Sequence, residues 1–166
     1  RVQFNEHTLW TGRPHAYHHE GAVKFLPEIR RLLWEGKQRE AEQLATQEFM
    51  SIPLRQFAYQ PCGDLWLEFP EHREVASYRR WLDLDSAVCT TEYRVGQALV
   101  RREVWASHPD RMVVVRMTCD SPGCLTGAVR LTSPHKESQV QATDADTLVL
   151  RGQVQPDGVR FESRAQ

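Results

Sequence analysis

Two carboxylates stand two positions apart in the stretch Trp81-Leu82-Asp83-Leu84-Asp85. On a strand, such residues point the same way and lie about 6.5 to 7 Å apart. That touches the lower end of the ~6.5 to 9.5 Å gap between an acid and a base that act through water on a glycosidic bond. The energetics are poor, because both sit near a turn where water levels their pKa values. No apolar pocket is visible to raise one of them. Asp83 and Asp85 read as solvated carboxylates at a strand end.

Other reactive residue types are no stronger. His15-Ala16-Tyr17-His18-His19 is histidine-dense, but a metal site needs ligands on one face with partners that orient them. A loop of mixed polarity with Gly21 after it offers no such face, so no metal and no cofactor is expected. There is no GxSxG, no GxGxxG and no phosphate loop. With seven histidines in the chain, a Cys–His pairing arises by chance. Cys62, Cys89, Cys119 and Cys124 show no zinc spacing and make no disulfide scaffold at this size. Cys119 and Cys124 flank a DSPG turn and could pair across a hairpin, but the plainer reading is four free thiols. Asn5 to Pro14 is polar except for Leu9 and Trp10, and Gly12 and Pro14 forbid regular structure there. A loop that holds Asn5, His7 and Trp10 is a place for a ligand contact. Equally, Trp10 could be a core anchor and Asn5 a turn former.

The elements that must position these residues are mostly strands. The 166 residues are 40% hydrophobic and 9% aromatic, with five Trp, which gives one globular domain with a real core. A net charge of −1 and a pI of about 6.7 give no electrostatic reason to expect nucleic acid or an anionic membrane. No apolar run approaches the ~20 residues of a membrane span. Tyr78 to Thr118 reads as an antiparallel meander. Ala87 to Val95 is a strand, Gly96-Gln97 a tight turn, and Ala98 to Ala106 the return strand. Ser107 to Asp110 is a loop. The apolar run from Met112 to Met117 suits a strand covered on both faces. Leu65 to Phe69, Leu125 to Thr132, Thr147 to Gln153 and Val159 to Ser163 add further strands.

Residues 24 to 49 are helical. Phe25, Ile29, Leu32 and Leu33 form one apolar stripe. Pro27 fits the first turn, and Gly36 ends the helix in the C′ position. Lys37 to Phe49 forms a second helix with Ala41, Leu44, Ala45 and Phe49 inward. Helices confined to one early hairpin among eight or nine strands predict a two-sheet antiparallel sandwich.

Five motifs in order resemble those of glycoside hydrolase family 95, which holds α-L-fucosidases and some α-L-galactosidases. Asn5-Glu6-His7-Thr8-Leu9-Trp10-Thr11-Gly12 is similar to the family's NE-x-TLW-(S/T)-G. Ile29 to Glu42 resembles IR-x-LL-x-x-GK-x-x-EAE. Tyr59 to Leu65 resembles YQPLGDL, with Cys62 where Leu is usual. Tyr78 to Asp85 resembles Y-x-R-x-LDLD, and Arg101 to Asp110 resembles REVFASYPD. From Cys119 onward the match is only generic strand.

The resemblance implies an N-terminal β-supersandwich domain over 1–166, with a helical hairpin inserted at about 24–49. It implies a larger parent enzyme whose partner for this domain is an (α/α) barrel in the same chain. That enzyme would hydrolyse terminal α-linked L-fucose on a fucosylated glycan with inversion. The family's catalytic Glu, Asn and Asp residues lie in the barrel, so no catalytic residue carries over. Asn5, His7 and Trp10 would border the sugar, with Trp10 stacking on its apolar face and Asn5 and His7 holding hydroxyls. The family's earlier PLGNGRLG-like stretch has no counterpart here, and Arg1 opens directly into strand-like VQF, so a chain cut at both ends is expected. Family members are often exported. The rival expectation is a free-standing carbohydrate-binding β-sandwich that needs no barrel.

Overall fold

The computed structural model describes residues 1–55 and 57–166. Among these are ten strands: β1 (Val2–Phe4), β2 (Gly63–Glu68), β3 (Val75–Asp83), β4 (Val88–Val95), β5 (Ala98–Ser107), β6 (Met112–Cys119), β7 (Ala128–Thr132), β8 (Glu137–Ala142), β9 (Leu148–Gln153) and β10 (Arg160–Ala165). A 3-10 turn (Ala22–Phe25) leads into α1 (Leu26–Trp34) and α2 (Gln38–Glu48). The chain divides into two compact units. One comprises Arg1–Glu6, Pro61–Gly152 and Glu162–Gln166, and the other His7–Gln60 and Gln153–Phe161.

The fold is mainly β and antiparallel, with a helical hairpin early in the chain. Hydrogen bonding divides the strands into three sheets, ordered β1-β2-β7, β10-β9-β8 and β3-β4-β5-β6. The last is the expected meander. Gly96, at φ 58, makes the tight turn between β4 and β5, a conformation glycine adopts without a Cβ penalty. Register aligns Trp81, Thr90, Glu103 and Arg116 in one row across this sheet. The next row, Leu82, Cys89, Val104 and Val115, faces the other way, as strand pleating requires.

The larger unit has its core at Val100, Leu131, Val149 and Leu150. Gly63 on β2 permits close packing there. A Cβ at that position would lie 2.6 Å from the Thr132 carbonyl oxygen and 3.0 Å from Leu150 Cδ2.

The smaller unit holds the hairpin, in which Ile29, Leu32 and Ala41 are buried, with Phe25, Leu44 and Ala45 packed against them. Pro27 lies in the first turn of α1. Gly36, at φ 74, ends it. The Gly36 N–H donates to the Leu33 carbonyl at 3.1 Å and the Lys37 N–H to the Leu32 carbonyl at 2.9 Å. This is the Schellman arrangement, which satisfies the helix's last carbonyls.

Several expectations change. Met112 and Val113 are 53% and 46% exposed, so the β6 run is not covered on both faces. β6 is an edge strand, and its apolar sequence alone does not bring a second layer onto it. Leu33 is 52% exposed, because the buried stripe of α1 is only as wide as Ile29 and Leu32. The polar segment of β8, with Val140 its one large apolar residue, pairs all the same, by backbone hydrogen bonds to β9. Cys119 and Cys124 form a disulfide at a Cα–Cα distance of 6.5 Å, inside the range a bridge needs. Only Cys62 and Cys89 are free thiols.

Candidate functional site

The site lies within the smaller unit, where residues 9–17 run beside 51–55 and 57–60. Leu9 is buried and anchors the first segment. The Gln60 N–H donates to the Leu9 carbonyl and the Thr11 N–H to the Ala58 carbonyl, each at 2.9 Å, and Trp10 forms an isolated bridge to Tyr59. The Thr11 hydroxyl accepts a third bond, from the Ala58 N–H at 2.8 Å. Between these bonds Gly12 takes φ 99, and the Phe57 ring lies over it, where a Cβ would come within 2.6 Å. Glycine is required there twice over, for its backbone angle and for the ring it admits.

Aromatic rings build the walls. The Trp10 indole N–H donates to the His7 carbonyl at 2.8 Å, which sets the indole plane. Trp10 and Tyr59 ring centroids are 5.2 Å apart. Tyr17 meets Phe57 edge-on at 5.6 Å, and His15 meets Tyr17 edge-on at 5.2 Å. His15 Nε2–H donates to the Ile52 carbonyl at 2.8 Å, which ties the two segments together at the far end. The result is a cavity of about 840 Å³, within the 300–1,000 Å³ common for ligand sites. The 155–159 turn completes its lining with Asp157, Gly158 and Val159. That turn is closed by the Gly158 N–H to the Gln155 carbonyl at 2.9 Å.

Of the three residues expected at a ligand site, His7 and Trp10 belong to this unit and Asn5 to the other. Trp10 is 39% exposed and lines the cavity, so it is no core anchor. Its neighbour Leu9 has that role. The sequence reading passed over Arg13, Tyr17, Arg55 and Phe57, all of which line the cavity. Their signal was available only as a density of Gly, Pro and aromatic residues in two separate loops.

Elsewhere, Asp83 and Asp85 form no acid–base pair. Asp83 Oδ1 accepts the Asp85 N–H at 3.0 Å and the Ser86 N–H at 3.3 Å. These backbone bonds, that of Ser86 foremost, hold the Asp83 carboxyl below its usual range and make it a turn cap. Asp85 lies beyond the end of β3, so strand spacing does not apply to the pair. Glu103 is buried between Arg116, whose Nε–H donates to it at 2.6 Å, and Arg101, whose Nη2–H donates at 3.1 Å. The Arg116 bond is the main cause of its lowered pKa. His72 bonds Tyr93 Oη and the Cys124 carbonyl, both at 2.8 Å, and stacks on Phe69. Among the described residues, no three His, Cys, Asp or Glu side chains converge as metal ligands.

The family model of the glycosyl hydrolase family 65 N-terminal domain matches residues 1–166. An α-L-fucosidase 2 of Arabidopsis thaliana is 36% identical over 159 residues, which is 93% of this chain and 18% of that protein. A probable α-fucosidase A of Aspergillus niger is 36% identical over 64 residues, covering 39% of this chain and 8% of its own length. The chain thus spans less than a fifth of these relatives. It belongs to the glycosyl hydrolase family 65 N-terminal domain family.

Proposed function

We propose that residues 1–166 are a non-catalytic β-supersandwich domain, with the helical hairpin at about 24–49 inserted in it. The whole enzyme hydrolyses terminal α-L-fucosyl linkages with inversion, through a separate (α/α) barrel of the same chain. One observation supports the non-catalytic part of this reading. Among the described residues, every carboxylate with a displaced pKa is displaced downward. Glu28, Glu35, Glu103 and Glu162 are lowered chiefly by hydrogen bonds from Arg31, Lys37, Arg116 and Arg164, and Asp83 by the Ser86 N–H. A glycosidase acid must instead be raised, so that it holds its proton until the leaving oxygen takes it. Groups stabilised as anions do the opposite.

In the whole enzyme, Trp10 stacks on the apolar face of a sugar, and Asn5 and His7 hold hydroxyls. The exposed indole at the cavity wall supports this role for Trp10. In the full-length protein, Asp83→Asn and Asp85→Asn together should leave kcat on an α-L-fucoside unchanged. Trp10→Ala should raise KM or lower kcat without lowering Tm. A collapse of kcat in the Asp variant would overturn the non-catalytic reading, and an unaltered rate in Trp10→Ala would remove the sugar contact. The stereochemistry has its own test, since NMR of the first-formed fucose should show the β anomer.

A further inference from the structure

The geometry points to an acidic sugar unit, a pyranose ring bearing a carboxylate, as the ligand of the cavity walled by Trp10, Tyr17 and Phe57. This rests on the reading above that Trp10 meets saccharide, and it adds the charge of the ring that is met. Two arginines, Arg13 and Arg55, line the same cavity. Among the described residues, neither takes part in a hydrogen bond or ion pair. Arg13 and Arg55 differ in this from Arg31, Arg101, Arg116, Arg130, Arg151 and Arg164, each of which sits within 4 Å of a carboxylate.

The one carboxylate among the lining residues is Asp157, at the tip of a turn with φ 60. Two arginines against one aspartate give the lining a net positive formal charge. A guanidinium offers a planar fork of donors that matches a carboxylate with two parallel bonds. Aromatic faces take the apolar side of a pyranose, and Asp157 can accept from ring hydroxyls. A neutral sugar would use the rings and leave both cations unmatched. A simple anion would use the cations and leave the rings bare. An acidic saccharide uses both, and the cavity's size admits more than one ring.

The test measures binding to the full-length protein by calorimetry. The probes are trigalacturonic acid and its methyl ester, which keeps the rings and removes the charge. Trigalacturonate should bind at least ten-fold more tightly than its ester, and less tightly as salt rises. The double variant Arg13→Gln/Arg55→Gln should abolish that preference while Tm is retained. Equal binding of acid and ester, both lost in Trp10→Ala, would overturn the charge inference and leave the sugar contact standing. Binding of neither probe would overturn the inference too, and the activity of Trp10→Ala then decides the sugar contact separately.

Discussion

Arg116 on β6 donates to Glu103 on β5 at 2.6 Å, directly across the strand pair. Arg101, two residues along β5, donates to the other carboxylate oxygen at 3.1 Å. The carboxylate is buried, but both arginine head groups reach solvent. The pKa of Glu103 is lower in the fold than in the open chain, so the ionised form is the one the fold favours. Its contribution is therefore present above the ordinary Glu value of 4.5 and is lost as pH falls through the depressed folded value. Melting curves from pH 7 to pH 2 should show a steeper acid loss for the native chain than for Glu103→Gln. Parallel curves would remove Glu103 as a contributor.

Gly63 has no room for a methyl group. The atom it would strike first is the Thr132 carbonyl oxygen, which belongs to the β2–β7 ladder and cannot rotate aside. Gly63→Ala should destabilise by about 1 to 3 kcal/mol, the range for overpacked cores. Urea unfolding measures this, and a native midpoint in the variant would contradict the packing.

Gly12 makes the matching prediction for the cavity. Alanine there must take φ 99 and displace the Phe57 ring. Because Phe57 is a wall of the site, Gly12→Ala should weaken saccharide binding at least as much as it lowers Tm. Unchanged affinity in a folded variant would show that the wall position does not matter.

The Cys119–Cys124 bridge closes a loop of only a few residues. A loop this short restricts the unfolded chain little, so the bridge is worth on the order of 2 kcal/mol. Thiol titration of these residues in denaturant should find two reactive thiols, Cys62 and Cys89, before reduction and four after it. Four without reduction would contradict the bridge. Cys119→Ser/Cys124→Ser should lower Tm by several degrees without loss of the β3–β6 meander in circular dichroism.

Much of the fold was legible because it is local. The turn at Gly96, the helix stop at Gly36 and the place of Pro27 depend on neighbours a few residues away, and the structure has each of them. The five motifs carried the family for the same reason, since a run of residue types needs no coordinates. Burial was less legible. The Met112 to Val115 run has the composition of a covered strand, but its position at a sheet edge decides its exposure, and edge position depends on the pairing of every other strand.

The candidate site divides along the same line. From residue types alone, Trp10 could be named as a ligand contact or a core anchor, because an indole serves both ends equally well. Tertiary structure removed the core-anchor reading by burying Leu9 and tying Thr11 to Ala58, which leaves the indole at a cavity wall beside Tyr59, and the ligand contact is the proposal built on that position. Arg13 and Arg55 read as ordinary surface charges until the two loops meet. The sequence alone determined which side chains were available and the local turns that hold them. Which of them share a cavity depends on contacts between segments distant along the chain, and no local pattern encodes those.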